Sequence, residues 1–403
     1  MDKHRLITGT FLGVIAVITV WTLVTPQKTF SSSENRYLQK KPEFTIEGLL
    51  DGSYGKKYET YLSDQFPERD RWIGLKVLSE RMAGKTAVNG VYIGKDGYLL
   101  EKFEEEEIEG DQLNSNLDKA GAFMQVAAEK LGEDKVRIML VPSASQIMTD
   151  QLPALAAPYD QSRVTEKLLQ KLKDNGFSED QVEKLVVPVE DYLDKNKNQP
   201  FYYKTDHHWT GKGSYVGYEA WADSIGLEPW EEEYFEIKTV SENFRGTIYS
   251  KLNIPWQLDK IEIYVPREEQ EYKVFFDGES KEYDTLYFTD ALKGRDQYKV
   301  YLDGNHGLTE IVNQNIVNQI AVNHAAAGDE KDRKLLIIKD SYAHSFAPFA
   351  VNHFETVYMA DLRYFNMKMG AFIEQEGITD VLILYQIPGF AKEKTISKLG
   401  WES

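Results

Sequence analysis

The chain has 403 residues, 42% of them hydrophobic and 12% aromatic, enough apolar material for a packed core and too much for global disorder. A formal net charge of −18 argues against a general nucleic-acid binder, which needs a basic surface to displace counterions. Cysteine is absent, so disulfides, thiolate metal sites and a thiol nucleophile are excluded.

Residues 6–25 carry no charge, and at ~1.5 Å per residue they reach roughly the 30 Å of a bilayer core. Lys3 and Arg5 precede this run, so the positive-inside rule puts residues 1–5 in the cytoplasm and the remainder of the chain outside it. No small-x-small cleavage site follows, which predicts a retained single-pass anchor. Residues 26–45 are polar and read as a stalk. A single domain is expected over 46–403.

Leu49 to Lys85 has a helical pattern. Residues 88–103 read as a hairpin turning at Lys95-Asp96-Gly97. The acidic run Glu104 to Glu107 reads as a solvated loop. A helix over 113–131, a strand over 136–141, a helix over 162–174 closed by Asn175-Gly176 and a strand over 185–189 follow. This alternation predicts an α/β fold with a mostly parallel sheet covered by helices.

Residues 201–211, FYYKTDHHWTG, hold the densest chemistry. On an extended segment Asp206 and His208 point to one side and His207 to the other. A carboxylate beside an imidazole fixes its tautomer and supports a general base serving a hydroxyl. Taken alone, the triplet reads equally as a hydrogen-bonded histidine pair or as metal ligands. Thr210 then caps a helix that ends at Gly226. Residues 227–303 hold short β-like runs (FEIKTV, IEIYV, YKVFF, TLYF, YKVYL) between charged turns, a β-rich insertion. A helix is expected from Thr309 to about Ala327.

KLLIIKDSYAHS, residues 334–345, begins as a buried central strand and places Ser341 just past its end, where open α/β sheets put their sites. Main-chain N–H groups at such a turn can receive an oxyanion. A serine there is often only a helix cap. Beside Asp206 and His208 on another strand end it becomes the candidate nucleophile, with Ser345 and His344 as weaker competitors for nucleophile and base. A strand is expected within 353–365, ending in Asp361, Arg363 and Tyr364, and another within 380–389, with Gln386 beyond it. Arg363 reads as an Asp361 ion pair or a substrate contact, Gln386 as a turn residue or an oxyanion donor. No metal is expected, because the contiguous triplet lacks the spacing of usual ligand sets.

Five blocks in order, VYIGKDGYL (91–99), DHHW (206–209), FRGTIYS (244–250), KDSY (339–342) and DLRYF (361–365), resemble the DHHW proteins. These are similar to the SGNH-hydrolase-like domain of alginate O-acetyltransferases, and the resemblance runs from about Phe30 to the C-terminus. It implies a flavodoxin-like α/β/α core and a triad of Asp206, His208 and Ser341. The candidate substrate contacts are Arg363, Tyr364, Trp209, His207 and Gln386. It further implies acyl transfer to an envelope or secreted polysaccharide beside a membrane-bound O-acyltransferase, with no cofactor. The alternatives are an esterase with the same triad or an inactive protein that binds glycan or a partner. Lys339 stands where a Gly-Asp-Ser pattern has glycine, which leaves the oxyanion-hole residues open.

Overall fold

The computed structural model describes residues 3–31, 36–197, 199–323 and 333–401. The chain forms two compact units, residues 1–89 with 247–256, and residues 90–246 with 257–403.

In the first unit Lys3–Val24 is one 22-residue helix with no buried residue, long and apolar enough to cross a bilayer. The helical pattern expected over 49–85 is present as three helices, Ile46–Leu50, Ser53–Asp64 and Arg69–Met82. Gly52, at φ 76, interrupts the first pair. Pro67, which has no N–H to donate, and Glu68 in the left-handed region interrupt the second. Helix Thr247–Leu252 completes the unit. Gly74 lies so close to the following segment that a Cβ would sit 2.7 Å from the Asn253 carbonyl oxygen.

The second unit is built on a six-stranded sheet. Its strands are β1 (Val136–Val141), β2 (Tyr272–Phe276), β3 (Leu308–Asn313), β4 (Lys334–Lys339), β5 (Thr356–Ala360) and β6 (Asp380–Gln386). Their order is β1-β6-β4-β5-β3-β2. The first four are parallel, and β3 and β2 add antiparallel at one edge. The parallel strands read as continuous apolar runs because both faces are covered.

On one face Leu336, Ile338, Val381 and Ile383 pack with Leu117, Met124, Leu168 and Phe372 of helices α1 (Asp111–Leu131), α2 (Ser162–Asp174) and α5 (Met369–Glu376). The other face faces helix α3 (Gly211–Ser224), which packs on α4 (Ala343–Ala350). Arg137, which alternates with the inward Val136 and Ile138, reaches across that face. Its guanidinium donates to the Ser224 carbonyl at 2.6 Å, a cation placed at a helix C-terminus. The expected three-layer core is therefore present.

Several elements differ from the sequence reading. Val186 makes only an isolated bridge to Ile138, and helices end at Leu185 and begin at Val189, so 185–189 is no strand. Residues 309–313 belong to β3, and among the described residues the helix runs over Gln314–Asn323. The remainder of that expected helix, 324–327, lies outside the described residues. FEIKTV and IEIYV pair as a two-stranded ribbon (Phe235–Phe244 with Asp259–Pro266). YKVFF is instead β2 of the main sheet, and the runs around Tyr287 and Tyr301 meet in a single bridge. Glu105–Ile108 is one helical turn with its acids exposed. The hairpin is as expected, with Ile93 opposite Leu99 and Asp96 and Gly97 in the left-handed region.

Candidate active site

Asp340 and Ser341 leave β4 together, and Asp340 locks the turn. Its carboxylate accepts from the Tyr342 N–H at 2.9 Å and from the Gln386 N–H at the end of β6 at 2.8 Å. The ends of adjacent parallel strands are thus tied through one side chain. Burial pushes this carboxyl up, and the two N–H donors oppose that shift. Ser341 is half-buried at the head of α4.

His208 arrives on a different loop. Asp259, the first residue of its strand, accepts from the Lys204 and Thr205 N–H groups at 2.8 Å and from the Thr205 hydroxyl, pinning the residues before Asp206. Gly246 closes over the same loop, where an added Cβ would lie 2.2 Å from the Asp206 Cβ. Beyond the motif, Thr210 accepts from the Gly213 N–H and starts α3. The DHHW segment is held from both ends.

Between these two loops runs a continuous hydrogen-bonded chain. Ser341 Oγ lies 2.7 Å from His208 Nε2, and His208 Nδ1 lies 2.5 Å from Asp206 Oδ1. Asp206 also accepts from the His208 N–H at 3.0 Å, which fixes backbone and ring together. Asp206 and His208 are buried. Burial pushes the His208 pKa down to about 4, helped by the neighbouring His207 and opposed by Asp206. The imidazole is therefore neutral at physiological pH, the state in which Nε2 can accept a proton. Tyr298 stacks on its face at 3.8 Å between ring centroids, and the His207 ring lies 3.9 Å away.

The other sequence candidates separate. His207 is half-buried beside His208, and its carbonyl accepts from the Tyr342 hydroxyl. Gln386 donates to that same hydroxyl at 2.8 Å, so it braces Tyr342. Trp209 is 0% exposed and has no surface to offer a substrate. Its indole donates to the Tyr342 carbonyl at 3.1 Å and to Ser345 at 2.9 Å. Ser345 is consumed by that contact and by Tyr298. Arg363 grips Asp361 through Nε at 2.8 Å and Nη2 at 2.6 Å, while Tyr364 beside it is exposed.

Asp361 also meets the buried Lys339 ammonium at 3.3 Å, and Lys339 Nζ lies 2.7 Å from His344 Nε2. Burial pushes Lys339 down to about 8 against the pull of Asp361, and drives His344 well below the usual imidazole range. His344 is therefore a neutral acceptor for lysine. Its other nitrogen has no partner among the described residues. Lys339 thus fills a buried ionic cluster beneath Ser341.

Asp206, His207 and His208 also present ligand atoms within 4.8 Å of one another. Both His208 nitrogens are already engaged, by Asp206 and Ser341. Asp340, Tyr342, Tyr298 and Asp259 are the supports that sequence reasoning missed. Only Asp340 and Tyr342 lay in a recognised block. Nothing local marked Tyr298, which sits in a run that resembles a strand.

Residues 91–284 match the family described as SGNH hydrolase-like domain, acetyltransferase AlgX. That match contains Asp206 and His208, and Ser341 lies beyond it. No curated protein matches the chain. A DHHW family protein from Eubacterium siraeum superposes with a TM-score of 0.57 at 21% identity, over 79% of this chain and 98% of that one. Bacillus cereus PatB1 with a sulfonyl adduct gives 0.57 at 16% identity, over 78% and 100%. PatB1 without that description gives 0.55 at 17%, over 74% and 97%. Residues 91–284 thus resemble the SGNH hydrolase-like domain of the acetyltransferase AlgX, and the chain shares its fold with a DHHW family protein.

Proposed function

We propose that this protein is a membrane-anchored, extracytoplasmic O-acyltransferase, acetyl being the group moved, that acts on a cell-envelope or secreted polysaccharide. The observation that carries the reading is the hydrogen-bonded chain from Ser341 through His208 to Asp206. A serine nucleophile needs a neutral imidazole aimed at its oxygen and a carboxylate that holds the other nitrogen, and each has its counterpart here.

In the first half-reaction His208 Nε2 takes the Ser341 proton as Oγ bonds to the acyl carbonyl carbon. The carbonyl oxygen becomes an oxyanion. The bond to the donor's leaving group then breaks, and His208 returns its proton to that group. In the second half-reaction His208 takes the proton of a sugar hydroxyl, which attacks the acyl-serine. The serine ester breaks, and the proton goes back to Oγ. At the turn, Asp340 occupies the Tyr342 and Ala343 N–H groups, and the Ser341 carbonyl that of His344. Among the described residues none accepts from the Ser341 N–H, which supports a role for it toward the oxyanion. The acyl supplier in this reading is a membrane-bound O-acyltransferase on the same membrane.

An esterase would use the same three residues with water as acceptor, so exclusion of water and binding of sugar decide between them. The test is mass spectrometry after incubation with an activated acetyl ester. Ser341 is expected to gain an acetyl group, and an envelope oligosaccharide is expected to divert that group from water to sugar. Phenylmethanesulfonyl fluoride is expected to add at the same serine, as the sulfonyl adduct on PatB1 suggests. Full activity of Ser341→Ala overturns the triad. Acylation with no transfer to any of a broad glycan panel favours the esterase.

A further inference from the structure

Large exposed apolar side chains are unevenly distributed. In the second unit they are scattered, as Leu155, Tyr234, Ile237, Tyr364 and Met367. In the first unit they converge. Helix Arg69–Met82 buries Gly74 and Val77 and lays Arg81 over the Trp256 ring. Trp72, Leu75, Leu78 and Met82 sit about 120° around the helix from that face, at the helical repeat of ~100° per residue. They are 47%, 57%, 44% and 90% exposed. Soluble surfaces rarely leave such a stripe uncovered. The preceding helix Ile46–Leu50 adds exposed Ile46, Leu49 and Leu50.

The position of the stripe along the chain says what covers it. The end of the long N-terminal helix is fastened to the residues just before Arg69. Gln27 donates to the Tyr61 hydroxyl at 2.8 Å, and Lys28 exchanges two hydrogen bonds with the Gln65 side chain, both at 2.9 Å. A cleft of about 300 Å³ at this junction is lined by Trp21, Thr25, Pro26, Phe66 and Arg69. Helix Arg69–Met82 therefore starts where the chain would leave a bilayer. It carries four basic side chains (Arg69, Arg71, Lys76, Arg81) against Asp70 and Glu80, in a chain of net charge −18. The stripe includes a tryptophan and the same helix is rich in basic residues, both features of helices that lie in the membrane interface.

We propose that helix Arg69–Met82 rests its Trp72-Leu75-Leu78-Met82 face on the outer surface of an anionic lipid bilayer. This second membrane contact holds the first unit down on the lipid. It extends the anchored reading above and is tested separately from it. The absence of cysteine allows single labels at chosen positions in the full-length chain. Leu75→Cys, Leu78→Cys and Met82→Cys would each carry an environment-sensitive fluorophore, in proteoliposomes containing phosphatidylglycerol and a nitroxide lipid labelled near the headgroup. Glu129→Cys in the second unit is the exposed reference, and Ile15→Cys reports the spanning helix. The expected result is blue-shifted emission and at least twofold stronger quenching at 75, 78 and 82 than at 129. Solvent-like emission at all three overturns the proposal even if the emission at Ile15 is blue-shifted. Shielded emission without lipid quenching also overturns it, and shows a protein covering the face. Quenching at the three positions with solvent-like emission at Ile15 upholds the surface contact and removes the span instead.

Discussion

His207 and His208 are adjacent imidazoles with opposite duties in the proposed mechanism. Only His208 bridges Asp206 and Ser341; His207 offers its carbonyl to Tyr342 and its ring to the side of the base. His208→Ala is expected to lower kcat/KM by several orders of magnitude, because triad members act as a unit. His207→Ala is expected to cost about tenfold or less. Steady-state kinetics with an activated ester gives the ranking, and the reverse order would reassign the base. A second expectation concerns pH. Burial lowers the His208 pKa from 6.5 to about 4, so the base stays neutral as pH falls through 6 and is protonated only near 4. The acid limb of the kcat/KM profile should therefore lie near pH 4, and a limb at 6.5 would show an imidazole open to water. The same shift has a sign for stability. The unfolded chain binds the proton first, so this contribution is complete above 6.5 and is lost as pH falls towards 4. At this scale the sequence selected His208 by alternation along an extended segment, whereas residues 204–208 bend and the two imidazoles lie side by side, 3.9 Å apart. What stayed illegible was the environment: Tyr298 over the ring and Asp259 behind the loop come from distant segments with no spacing rule to find them.

At the level of elements, the site depends on close approaches as much as on its reactive groups. Gly217 in α3 leaves room for the Trp209 ring, whose nearest atom would lie 2.6 Å from an added Cβ, and Gly246 leaves room for Asp206. Gly246→Ala would have to move Asp206 backbone as well as side chain, since Cα would lie 2.4 Å away. The expected outcome is a loss of kcat/KM of at least about tenfold with destabilisation of about 1–3 kcal/mol, the usual cost of overpacking. Paired kinetics and thermal melts check it, and wild-type activity would show that the loop yields without displacing the acid. The parallel strands were legible because burial on both faces writes continuous apolar runs. The strand Leu308–Asn313 was not. Its alternation passes straight into the helix from Gln314 with no glycine or proline between, so one helical period absorbed both. YKVFF looked like part of the insertion because an edge strand carries no mark of which sheet it joins. Lys339 is similar: the sequence shows a lysine where glycine is expected, and only the packing shows its partners, Asp361 and His344.

For the molecule as a whole, the uncharged run of residues 6–25 predicts behaviour that needs no assay of chemistry. Full-length protein should stay with the membrane fraction through a high-salt or carbonate wash, and external protease should reach everything after residue 26. Mature protein free in the medium, with its N-terminus beyond residue 25, would replace the anchor with a cleaved leader. The five ordered blocks made the α/β core and the candidate triad readable before any coordinates. They did not make the division into two units readable, because residues 247–256 join the first unit from the middle of the second one's sequence.

The rings on either side of His208 have a consequence for the order of events. Tyr298 stacked on it at an interplanar angle of 10° and the His207 ring 3.9 Å away hinder the imidazole from turning over. Nε2 can then exchange protons only along the direction it already faces. In the proposed transfer, departing and arriving groups use one berth in succession, so the donor's remnant vacates before the acceptor hydroxyl enters. Traffic of that kind gives parallel lines in double-reciprocal plots of donor against acceptor. It also makes an inert analogue of the leaving group a competitor of the sugar. A smaller ring at position 298 would loosen that rule by giving the imidazole a second heading.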